Sequence, residues 1–137
     1  FVDCQQLRTL TNSQLTTANR QSKFQLLMMH HHAIDVGYFI DRHGLVNKAE
    51  FWQHLTKIKN VKGIACGHVH NDLVLLPEVS GYSTPLYTCP ATSIQFDRKA
   101  DTVANANKGA GFRVFTLFAD GNIDTKAYFI KTKLNGS

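Results

Sequence analysis

The sequence predicts a mixed α/β domain with a mixed sheet, on three observations. Two short apolar runs, Phe24–Met29 and Val61–Cys66, flank a stretch of helical periodicity from Lys48 to Lys59. Strand, helix and strand in that order make a crossover unit with parallel strands. The remainder carries short strand-like segments separated by turn signals, the pattern of antiparallel pairing. With 137 residues, 43% hydrophobic and 18% charged, the chain has the material for one soluble domain with a real core.

Taken in order, Phe1-Val2-Asp3-Cys4 reads as the end of a strand entering a loop, with no initiator methionine before it, and predicts a piece of a longer chain. Thr11-Asn12-Ser13 offers N-cap oxygens for a short polar helix reaching about Arg20. Phe24–Met29 is expected to be a strand buried on both faces, delivering the chain into His30-His31-His32. After a loop with Gly37 and His43-Gly44, Asn47 caps a helix from Lys48 to Lys59 whose stripe is Phe51, Leu55 and Ile58, widened by Trp52.

Val61–Cys66 is the second strand, and it also runs into histidines. Leu73–Leu76, Ser83–Thr88, Gly111–Phe118 and Ile123–Ile130 complete the strands, the last two joined as a hairpin by Ala119-Asp120-Gly121-Asn122. The polar stretch from Asp97 to Gly111 predicts a long mobile loop. Its glycines precede no helix, so it lacks the element that makes a glycine loop a phosphate cradle.

The net charge of +5 comes from 15 basic and 10 acidic residues that are scattered, which predicts a solvated surface and no nucleic-acid partner. Apolar runs fall far short of the roughly 20 residues of a membrane-spanning helix, so no membrane partner is expected. Cys4, Cys66 and Cys89 are odd in number and widely spaced, the usage of a reducing, cytoplasmic protein rather than a disulfide framework.

Chemistry is suggested by the histidines. Ligands of parallel sheets bind at the carboxyl ends of the strands. Two apolar strands ending in histidines should therefore bring His31, from the His30–His32 triplet, together with His68 and His70 of Gly67-His68-Val69-His70. A His-x-His pair on extended backbone would project both rings to one side. Imidazole donors suit zinc and transition metals. His43, in a loop, and His54, on the helix, are expected at the surface or the core edge.

Met29-His30-His31-His32, a helical spacer, and Cys66-Gly67-His68-Val69-His70 resemble the second half of the calcineurin-like metallophosphoesterases, and within them the bacterial 3',5'-cyclic-AMP phosphodiesterases. Val2-Asp3, Cys89-Pro90-Ala91-Thr92-Ser93-Ile94-Gln95-Phe96, Gly111-Phe112-Arg113 and Ala119-Asp120-Gly121 fall in the order those enzymes use, so the resemblance covers nearly the whole chain. It implies the C-terminal half, residues 1–137, of a single α/β/β/α two-sheet sandwich. It also implies two divalent or trivalent ions of iron, manganese or zinc, roughly 3.5 to 4 Å apart. His31 and His68 would ligate one ion and His70 its neighbour, and the reaction would open cyclic AMP to the 5'-monophosphate.

The Asp-x-His, Gly-Asp and Gly-Asn-His motifs of that family do not occur here, and Ala33 stands where the family places proline. The chain alone is therefore expected to be inactive, with no catalytic residue beyond metal ligands. Other readings of the same residues are a scaffold for another phosphodiester or monoester, and a non-catalytic metal-binding or dimerisation module. Missing sheet neighbours would leave apolar surface exposed, so self-association of the fragment is expected.

Overall fold

The computed structural model describes residues 23–78 and 81–131. The strand and helix expected before residue 22 lie outside the described residues. Among the described residues six strands form two sheets: a four-stranded mixed sheet in the order β1-β2-β4-β3 and a two-stranded hairpin, β5-β6. The elements are β1 (Gln25–Met29), α1 (Lys48–Leu55), β2 (Val61–Cys66), β3 (Val74–Leu75), β4 (Leu86–Thr88), β5 (Gly111–Leu117) and β6 (Ile123–Phe129).

The crossover unit forms as the sequence predicts. β1 lies parallel to β2, from Gln25 opposite Val61 to Met29 opposite Cys66, and β2 lies parallel to β4. Lys62 has no partner in this register, because Leu26 already pairs with Gly63. That extra residue is a bulge. It restores phase, so that Val61, Ile64 and Cys66 all join the core beneath α1. Gly63 turns the other way, where a Cβ would stand 2.9 Å from Ile123 Cδ1 of the hairpin and 3.0 Å from Tyr87 Cε2.

The hairpin packs on this second face through the Tyr87–Phe115 ring contact and the Arg113 Nε–H bond to the Thr88 carbonyl, 2.9 Å. Helix, mixed sheet and hairpin are thus three layers. The hairpin keeps one apolar face outward, with Phe112 stacked on Tyr128 and Val114 and Ile130 exposed. No helix among the described residues is long and apolar enough to cross a membrane.

The helix stripe is real: Phe51, Trp52, Leu55 and Ile58 are buried together, each contributing about 1.5–3 kcal/mol relative to exposure. Trp52 also donates its indole N–H to the Ala33 carbonyl, 2.9 Å. The helix stops at Leu55, four residues early, because Lys57 and Ile58 donate to the carbonyls three residues back, which tightens the last turn. Asn47 occupies the N-cap position, but its side chain makes no capping bond and reaches Glu50 instead. β4 begins only at Leu86, since Pro85 has no N–H for a ladder; its carbonyl accepts from Ile64.

Two expectations need correction. β1 is not buried on both faces: Leu27 and Met29 pack on the core, while Met28 is 75% exposed at the edge of the described sheet. The Asp97–Gly111 segment is a long loop, but a pinned one. Asp97 N–H donates to Ala104, Ala106 N–H donates to Gln95, and Arg42 donates to the Asp101 carbonyl.

Candidate metal centre

The parallel register decides the geometry of the site. Because Met29 stands opposite Cys66, the residues that follow each strand leave the same end of the sheet side by side. The His31 and His68 ring centroids are 4.6 Å apart and those of His30 and His68 5.1 Å. One nitrogen from each of His30, His31 and His68 lies within 4.8 Å of the others. The expectation had one member of the triplet beside His68; the structure brings two.

The third member goes elsewhere. His32 is fully buried and hydrogen-bonded through Nε2 to Asp41 Oδ1, 3.0 Å. Asp41 is itself held by the amides of Val36 and Gly37, both at 2.8 Å. Burial raises the Asp41 pKa, but those two N–H groups and His32 outweigh it and hold the carboxyl below its usual range. The His32 ring lies 5.9 Å from that of His68 in a stacked arrangement, a floor under the cluster. Asp41 carries no local signal in the sequence; only the fold brings it beneath a residue nine positions back.

His70 departs from expectation in another way. Gly67-His68-Val69-His70 is not extended: His68 and His70 both adopt left-handed backbone, φ 64° and 52°. Each such non-glycine residue costs on the order of 1–3 kcal/mol. The two rings therefore diverge instead of lining one side. His68 meets His30 and His31, whereas His70 stacks on Phe96, centroids 4.0 Å apart and planes within 4°.

Buried bonds around the turn support its strain. Tyr38 OH donates to the Val69 carbonyl at 2.5 Å, Asn71 Nδ2 donates to Tyr38 OH and the Phe96 carbonyl, and Thr88 OH donates to the Asn71 carbonyl. Val69 itself is fully buried with Val36, Ile40 and Phe96. His43 is exposed in the turn Phe39–His43 and His54 is half-buried on α1, as expected.

The donors fit a metal that prefers nitrogen. His68 Nε2 is buried without a hydrogen-bond partner, which is costly unless something electrophilic occupies its lone pair. Burial, then the neighbouring His31, His30 and His32, push the His68 imidazole down to about 4, with a His43 backbone bond acting the other way. Burial and His30 lower His31 as well. Neutral imidazoles are the ligating form. Among the described residues no carboxylate completes this cluster.

No family model matches the chain. It is 55% identical over 119 residues, 85% of its length, to a protein of Colwellia psychrerythraea named probable cyclic nucleotide phosphodiesterase, and covers 45% of that protein. It is 36% identical over 105 residues, 76% of its length, to the 3',5'-cyclic adenosine monophosphate phosphodiesterase CpdA of Vibrio vulnificus, covering 37% of it. Identity to the protein of that name from Escherichia coli K12 is 30% over 112 residues, 81% of this chain and 39% of the relative. The chain thus spans less than half the length of these curated relatives, and over most of its own length it is a homologue of proteins named cyclic nucleotide phosphodiesterases.

Proposed function

We propose that this chain is the C-terminal portion of a single calcineurin-like metallophosphoesterase domain, an α/β/β/α sandwich, which in the intact protein hydrolyses 3',5'-cyclic AMP to 5'-AMP in the cytoplasm. The observation that supports it most is the pairing of Met29 with Cys66, which sets two histidine-bearing turns side by side in a homologue of named phosphodiesterases. The free thiols of Cys66 and Cys89 suit a reducing compartment.

In this reading His31 and His68 hold one ion and His70 offers Nε2 to a second. Iron, manganese or zinc bound there would supply a lowered pKa for water and neutralise charge on the phosphoryl oxygens. The chain's own share is to present neutral ring nitrogens on a braced turn. His30 stands beside them as a further donor, and His32 with Asp41 braces the floor. The carboxylates, and the groups that assist the leaving oxygen, belong to the part of the protein upstream.

Turnover by the intact protein tests this. Cyclic AMP should be hydrolysed in preference to an aryl phosphodiester, and His68→Ala should lower kcat/KM for both by more than about 100-fold, beyond the loss typical of outer partners. Equal rates on the two substrates would sink the cyclic-AMP assignment. Full activity and metal content in His68→Ala would sink the metal reading.

A further inference from the structure

The structure assigns Ala91–Phe96 as the cradle that orients His70, with Gln95 as its positioning residue; this rests on reading His70 as a ligand. Three contacts converge on His70 from residues 94–96. His70 Nδ1 lies 2.8 Å from the Ile94 carbonyl. A carbonyl can only accept, so Nδ1 carries the proton and Nε2 keeps its lone pair for a metal. The Phe96 ring fixes the imidazole plane by the close parallel stack. The Phe96 N–H donates to the His70 carbonyl, 3.2 Å, and ties down its left-handed backbone.

These contacts come from an irregular turn outside the strands and helix, tied to the following loop by the backbone bridge of Phe96 with Asn105. Gln95 adds the side-chain restraint at its other end. Its side chain is fully buried, and every partner is backbone: Oε1 accepts from Ala91 N–H at 3.0 Å, and Nε2 donates to the carbonyls of Ala91 at 2.7 Å and Gly109 at 2.9 Å. One amide thus closes the 91–95 turn and fastens the 97–109 loop behind it. Gln95 acts on His70 through Ile94 and Phe96. A glutamine is required because the site needs one acceptor and two donors on a single planar group, which neither glutamate nor leucine provides.

The test uses the intact protein, with zinc as probe, and compares wild type, Gln95→Glu, Phe96→Leu, Phe96→Tyr and His70→Ala. Side-chain 15N NMR of metal-free protein reads the His70 tautomer, and zinc titration with elemental analysis reads each ion. Wild type and Phe96→Tyr should show the Nδ1–H tautomer and two zinc ions. Gln95→Glu and Phe96→Leu should show mixed tautomers and about 10- to 100-fold weaker binding of the ion that His70→Ala loses, with the His68-dependent ion unchanged.

A wild-type tautomer and affinity in both Gln95→Glu and Phe96→Leu would overturn the cradle. Should Gln95→Glu lose both ions through misfolding, Phe96→Leu decides alone. Two zinc ions bound normally by His70→Ala would instead overturn the ligand reading, and the tautomer measurement would still judge the cradle.

Discussion

His68 and His70 stand two residues apart, yet they are placed by different means. His68 inherits its position from a parallel register, two residues past the pair of Met29 and Cys66. His70 is placed by a network of backbone and side-chain bonds drawn from a loop more than 20 residues later in the chain, through Ile94 and Phe96. The first is secured by a hydrophobic core and shared with every strand of the sheet. The second depends on a few directional contacts, each individually weak and all needed together. Damage to the core and damage to the loop should therefore separate the two rings.

The largest separation should come from the core. Ile64 is fully buried in the centre of β2, beneath Phe51 and Leu55 of α1. Ile64→Ala should cost about 2–5 kcal/mol in urea unfolding. It should loosen the His31–His68 approach, because both rings depend on β1 and β2 staying in register. A loss below about 1 kcal/mol would show that the helix face does not anchor the strand pair.

The loop side breaks at Gly109. This glycine has φ +80°, and an added Cβ would lie 2.3 Å from the Ile130 carbonyl oxygen, a backbone atom that cannot yield. Gly109→Ala should cost about 1–3 kcal/mol and displace the carbonyl that Gln95 holds. Hydrogen exchange is the measurement. Amides of residues 97–109 should exchange faster while those of Val61–Cys66 keep their protection. Equal acceleration in β2 would mean that loop and sheet are one cooperative unit, and the contrast between His68 and His70 would be lost.

The same contrast explains what the sequence made legible. The pattern of two apolar runs around Phe51, Leu55 and Ile58 is enough to specify parallel strands, and parallel strands are enough to bring His31 beside His68. Hydrophobic periodicity carries that information over any distance. The divergence of His70 was hidden, because nothing in Gly67-His68-Val69-His70 announces two left-handed residues; the conformation is imposed by Tyr38, Asn71 and Phe96 from outside. Gln95 was equally hidden, since a lone glutamine between Ile94 and Phe96 looks like surface until its amide is found with three backbone partners. His32 was misleading for a related reason: three identical side chains in a row cannot say which one turns inward. Asp41, which decides it, is a tertiary neighbour.

Asp41 gives the smallest effect. Its carboxylate fixes the Nε2–H tautomer of His32 and takes the Val36 and Gly37 amides. Asp41→Asn replaces a charge with a group that turns a donor toward donors, and should cost about 1 kcal/mol at neutral pH. The sign with pH follows from the folded carboxyl lying below its ordinary 3.8. Such a group stabilises the fold above the unfolded value and loses that contribution as pH falls through the folded one. The gap between wild type and Asp41→Asn should therefore be full at pH 6–7 and close below about pH 4, followed by urea midpoints across that range. A gap that persists in acid would mean that the carboxylate braces His32 by shape alone. The floor beneath His68 would then belong with the packed sheet that places His68, and not with the directional bonds that place His70.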